Sequence, residues 1–95
     1  MILDLESIKQ ELKVDIDDDD ERIHSTMTQA ALIVLDFLKV ASDEYEDEDG
    51  VSDYPDIVYA AIVRVTMALY DSPEKDPLTD AVRSLLHRSR DPALA

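Results

Sequence analysis

Two helix-length runs in this chain are apolar on nearly every side: residues 27–41, MTQAALIVLDFLKVA, and residues 57–70, IVYAAIVRVTMALY. A helix on the surface of a small domain needs an apolar stripe along one face only. Two helices of this kind in a 95-residue chain carry more apolar surface than one such domain is expected to hide. The surplus is expected to bury against further copies or another protein. The chain therefore reads as a component of an assembly before it reads as an enzyme.

The rest of the pattern is helical. Leu5, Ile8 and Leu12 fall at i, i+3 and i+7, a short helix that Asp4 can cap. Val14 and Ile16 alternate with Asp15 and Asp17, which suggests a brief extended connector. Asp18 and Glu21 have the spacing of a capping box and open a long second helix, expected over 19–40. Its main stripe is Ile23, Met27, Ala30, Val34, Phe37, Leu38 and Ala41, and Leu32 and Leu35 lie outside it as a second apolar surface. Residues 42–54, SDEYEDEDGVSDY, hold the only glycine and read as a solvated, mobile loop.

Pro55 suits the first position of a third helix, expected to end near Asp71. Asp76-Pro77 repeats that start signal for a fourth helix through about Arg88, with Leu78, Val82, Leu85 and Leu86 inward. The expected fold is all-α: four helices, short, long, long and short, in a compact antiparallel bundle-like domain with an acidic loop between helices 2 and 3. Residues 1–90 form the single domain, and 91–95 a flexible C-terminal tail.

Charge sets the limits on partners. The formal net charge is −14, and residues 1–56 hold 18 acids against 4 bases, whereas residues 57–95 hold 5 of each. Simple attraction to nucleic acid or an anionic membrane is disfavoured. Like-charged copies repel, so any oligomer should be strengthened by salt. Neither apolar run reaches the ~20 residues of a bilayer span. The start, Met1-Ile2-Leu3 followed by Asp4 and Glu6, lacks the basic region of a secretory signal. Without cysteine there is no disulfide, thiolate metal site or thiol nucleophile.

The chemical motifs are weak. Aligning Gly50 as the sixth position of an EF-hand loop puts Asp47 and Asp49 at ligand positions, but Tyr45 takes the first and Asp56 the last, where a bidentate glutamate is needed. His24 and His87 belong to no catalytic spacing, and nothing singles out any pair among the 23 acids. No cofactor is implied, and the chain is not expected to be an enzyme. Arg64 interrupts an apolar helix; it either lays its stem on the surface with its head in water or pairs with an acid of a neighbouring subunit. Candidate subunit-interface residues are Leu32, Leu35, Tyr59, Val63, Arg64 and Tyr70, with core packing the alternative for several of them. Candidate contacts to other proteins are Tyr45, Tyr54, Arg88 and Arg90.

The order of these parts resembles a known family. The start L-E-S-I-K-Q-E-L-K-V-D over residues 5–15 leads into an acid run and a long helix. An acidic loop follows, then the proline-initiated helix from Tyr54-Pro55, and a short last helix with Leu85-Leu86 and a basic end. Over about residues 2–90 this is similar to the head–tail connector, or head-completion adaptor, proteins of tailed bacteriophages. The chain lacks the glycine-rich or aromatic turn often found after the second helix of that family, and little follows its fourth helix.

The resemblance implies a non-enzymatic ring of about twelve copies. The ring would dock on the portal protein and meet a tail-completion or tail-terminator protein, with DNA passing through without specific binding. It implies a place at the head–tail junction of a virion, made in a bacterial cytoplasm, with no membrane partner. Charge alone leaves two other readings open: an acidic decoy that mimics DNA and blocks a nucleic-acid-binding host protein, and a small calcium-responsive helical module.

Overall fold

The computed structural model describes residues 1–14 and 18–89. It contains α1 (Leu5–Leu12), α2 (Asp20–Leu38), α3 (Asp56–Asp71) and α4 (Asp80–Ser89), and no strand among the described residues. The short–long–long–short order is as expected from the sequence. Most of the connector before α2, Arg90 and the expected tail 91–95 lie outside the described residues.

Local chemistry explains the helix ends. The Asp4 carboxylate accepts the backbone N–H of Ser7 at 2.8 Å, the cap expected for α1. At α2 the capping residue is Asp19 rather than Asp18, and its side chain makes no cap bond because it is engaged by Tyr70. Pro55 stands at the N-cap of α3, one position before the first helical residue.

The fourth helix begins later than Asp76-Pro77 implied. The Asp76 carboxylate instead closes a local turn by accepting the Leu78 N–H at 2.9 Å. Thr79 then caps the helix, its hydroxyl accepting the Val82 N–H at 3.3 Å.

Helices α1 and α2 stop in the same way. In both, the tripeptide Leu-Lys-Val (12–14 and 38–40) places its lysine in the left-handed region, at φ 59° for Lys13 and 62° for Lys39. The N–H of Val14 reaches the Lys9 carbonyl at 3.0 Å, and that of Val40 reaches Leu35 at 3.1 Å. These are Schellman closures, with lysine where glycine is usual. This is why α2 ends at Leu38 and Val40 folds back onto the core instead of continuing the helix.

One continuous core joins all four helices, with Ile8, Ile23, Val34, Val58, Ile62, Val65 and Leu86 essentially sealed from solvent. Helix α3 is its centre: α2 packs along it most extensively, and α4 and α1 cover further flanks. Its exposed residues fall on one line, Asp56, Arg64, Met67 and Asp71, with half-buried Ala60 between the first two. Thr66 is buried within α3 because its hydroxyl donates to the Ile62 carbonyl at 2.7 Å.

The apolar circumference of α3 is thus mostly absorbed within the molecule, and the expected surplus is smaller than the sequence implied. Among the described residues, the exposed large hydrophobics are Met1, Ile2, Leu32, Val51 and Met67.

Ile62→Ala should lower the unfolding free energy by about 2–5 kcal/mol, because it leaves a cavity at the centre of the core. Lys39→Gly should raise it by about 0.5–1 kcal/mol, as relief of the left-handed strain exceeds the extra freedom of glycine in the unfolded chain. Urea denaturation midpoints with unchanged slopes would verify both.

Candidate functional site

The acidic loop is built rather than loose. The Asp47 carboxylate accepts the N–H groups of Asp49 at 2.8 Å and Val51 at 2.9 Å, and the Asp47 N–H donates to the Val51 carbonyl at 2.9 Å. Gly50 takes φ 79°, a conformation in which any side chain would be strained. The loop folds back as a small hairpin through paired residues Glu46 and Ser52.

Its far end is tied to the N-terminal segment. The Met1 amine donates to Asp53 Oδ1 at 2.7 Å and to the Tyr54 carbonyl at 2.6 Å, and the Tyr54 N–H returns a bond to the Met1 carbonyl at 2.9 Å. Among the described residues, no group of three or more His, Asp or Glu side chains is placed to hold a metal ion. The Asp47 carboxylate that an EF-hand alignment would assign to calcium serves the loop's own backbone.

This arrangement produces an exposed concave surface. A groove of about 610 Å³ lies between α2, residues 2–4 and the acidic loop. Its α2 wall is His24, Thr28, Ala31, Leu32 and Leu35, one stripe at helical spacing beside the core stripe. The second apolar surface expected from Leu32 and Leu35 therefore exists as a groove wall. Leu32 stands out at 52% exposure, whereas Leu35 is only 2% exposed and belongs to the core.

The second surface follows the open line of α3. It comprises a hollow of about 470 Å³ that Met1, Glu11, Asp56, Tyr59, Ala60, Val63, Arg64 and Met67 line, and a shallower one beside Pro77 and Val82 that shares Arg64 and Met67. Arg64 is exposed, and among the described residues no ion pair or hydrogen bond engages it. Tyr59 and Val63 form the buried floor of that hollow.

The other sequence candidates divide. Tyr70 is committed inside the molecule, its hydroxyl donating to Asp19 Oδ2 at 2.5 Å. The Arg22 guanidinium lies 4.2 Å over the Tyr70 ring and donates to the Tyr70 carbonyl at 2.7 Å. Tyr54 is buried and meets half-buried Tyr45 edge to face at 5.6 Å. The exposed His87 meets the edge of Phe37 at 5.9 Å. Arg88 is exposed, and Arg90 lies outside the described residues.

Lys9, which helical periodicity did not single out, is buried with its Nζ 2.9 Å from Asp20 Oδ1, tying α1 to the start of α2. Its spacing from Leu5 and Leu12 on the inner face of α1 was the available signal.

Among the described residues, no helix is long and apolar enough to cross a membrane. Comparisons with protein-family models, curated proteins and solved structures give no match.

Two tyrosines titrate late. The hydrogen bond to Asp19 raises the Tyr70 phenol above its ordinary value of 10.0, with burial and the Asp19 charge adding to it. Burial raises Tyr59, partly opposed by its hydrogen bond with Ser7. A phenol whose folded pKa is raised stabilises the fold fully below its unfolded pKa. That stability is lost as pH rises through the folded value. Melting temperature should therefore fall above about pH 10, and Tyr70→Phe should make that alkaline decline shallower in a pH series of thermal melts.

Proposed function

We propose that the chain is a structural subunit of a tailed-bacteriophage head–tail junction: an adaptor that forms a ring on the portal vertex, joins capsid to tail and extends the DNA channel. The reading is supported by four helices in short, long, long, short order with a folded acidic loop between the long pair. The observation that carries the reading furthest is Arg64. It is an exposed cation without an ion pair among the described residues, flanked by Met67 and Ala60 on the open line of α3. In a chain of net charge −14, such a residue is suited to an acid on the next copy. Repeated head-to-tail around a closed rotation, one contact of this kind makes a ring.

In this reading the subunit has no catalytic role. DNA passes through without specific binding, as suits a conduit whose own charge repels the phosphate backbone. Partners are further copies, the portal protein and a tail-completion or terminator protein, and the site of action is the virion.

A second reading has one specific observation in its favour. Asp43, Glu44, Glu46, Asp47, Glu48 and Asp49 are all exposed on one loop, which suits a decoy presenting phosphate-like charge to a DNA-binding protein. Competition with DNA for a basic enzyme, abolished by salt and indifferent to Arg64, would favour that reading over the ring.

Leu35 and Val63 are unsuitable probes of assembly, since at 2% and 8% exposure an aspartate at either would disrupt the core. Arg64→Glu changes an exposed charge and should leave the helices intact. Native mass spectrometry over a salt and concentration series should show closed rings of about twelve copies for the parent chain, favoured by salt, and their loss in Arg64→Glu. A parent chain that stays monomeric in every condition and does not bind a portal ring would refute the proposal.

A further inference from the structure

The groove between α2, the N-terminal segment and the acidic loop has two properties that rarely coincide without purpose. Its floor and walls hold three of the five exposed large hydrophobics among the described residues: Ile2 at 46%, Leu32 at 52% and Val51 at 40% exposure. Every residue lining it lies between positions 2 and 54, within the part of the chain that carries the whole net charge of −14. Asp4 and Glu46 stand in its lining, and the hairpin that forms one wall carries Asp43, Glu44, Asp47, Glu48 and Asp49 on exposed positions. An apolar trough with an acidic surround selects its occupant by both features at once.

We infer that this groove is the docking site for a basic amphipathic helix of another protein. That helix would carry large apolar residues on one face and lysines or arginines on its flanks. The α2 wall from His24 to Leu35 runs about 17 Å at 1.5 Å per residue, enough for roughly three turns of a docked helix. Leu32, Val51 and Ile2 receive the apolar face, and the flanking bases meet Asp4, Glu46 and the loop acids.

A second copy of this chain does not fit the description. Among the described helices two have a base in the last turn: α1 buries its Lys9 against Asp20, and α4 turns Val82 and Leu86 into its own core and exposes Ala81, Ser84, His87 and Arg88. Two surfaces this acidic also repel one another. The inference does not depend on the ring, because the groove shares no lining residue with the α3 surface that bears Arg64.

The test uses the full chain and a labelled synthetic helix of about 14 residues, leucine on one face and lysine on the others. A scrambled isomer of the same composition, with no apolar face, is the comparison. Fluorescence anisotropy should show the amphipathic peptide binding at least about tenfold more tightly than its isomer, with binding weakened but retained in high salt. Leu32→Asp and Val51→Asp should each weaken it by about tenfold or more, and Met67→Asp, on the other surface, by less than about twofold. Leu32 and Val51 are exposed on different elements, so circular dichroism will identify at least one folded variant for the comparison.

Equal binding of the two peptides would mean that charge alone acts, and would overturn the inference. So would unchanged binding in the folded Leu32 and Val51 variants, or no binding at all. Self-association of the parent chain that Leu32→Asp abolishes would overturn it as well, by giving the groove to a second copy.

Discussion

Helix α3 must be covered on three sides, and the arrangement of the other helices follows from that. Its fully exposed residues lie on one line, from Asp56 through Arg64 and Met67 to Asp71. Fully burying each of its Val, Ile and Leu side chains is worth on the order of 1.5–3 kcal/mol, which favours placing α1, α2 and α4 around it. The longest helix takes the longest flank, and the two short helices close the remaining ones. The Cα framework is only 17 Å in its smallest dimension, about two helix layers at the usual 8–10 Å spacing.

Packing brings the helices together, but polar contacts fix where each begins and ends relative to its neighbour. Lys9 holds α1 against the first residue of α2. Asp19, Arg22 and Tyr70 bind the start of α2 to the end of α3 through a hydroxyl, a guanidinium face and a carbonyl. Arg83 steadies the entry to α4 by donating to the Leu78 carbonyl at 2.8 Å and lying 3.6 Å from Asp76. Exposed ion pairs alone contribute little. Here Arg22 and Arg83 add a hydrogen bond and an aromatic face to their ion pairs, and each acts at a helix end, where unsatisfied backbone groups make position matter most.

Helix existence, order and inner faces were legible in the sequence, because apolar periodicity reports burial directly. Asp4 was legible as a cap for the same local reason. What periodicity could not separate was Leu32 from Leu35. Both lie off the main stripe of α2, and only the packing of residues 2–4 and the loop decides that one is sealed and the other open. The stop of α2 was missed because lysine is a poor sign of a left-handed residue; the repeated Leu-Lys-Val was the available clue. The surplus of apolar surface was overestimated because a helix flanked on three sides looks, in sequence, like one awaiting a partner. The sequence left Tyr70 open between interface and core because its partner Asp19 lies 51 positions away, beyond any local pattern.

The covering of α3 by short helices has a dynamic consequence. Helix α4 contributes only Val82 and Leu86 to the fully enclosed core, and its entry rests on one threonine cap and one arginine. The α2–α3 pair is adjacent in sequence and carries the largest share of the packing. Opening of the molecule is therefore expected to be graded, with α4 lifting before the central pair and the middle of α3 protected longest from amide exchange. Each lifting of α4 bares a flank of α3 that is as apolar as the buried core. The molecule thus conceals beneath α4 a sticky surface that any opening of that helix would expose.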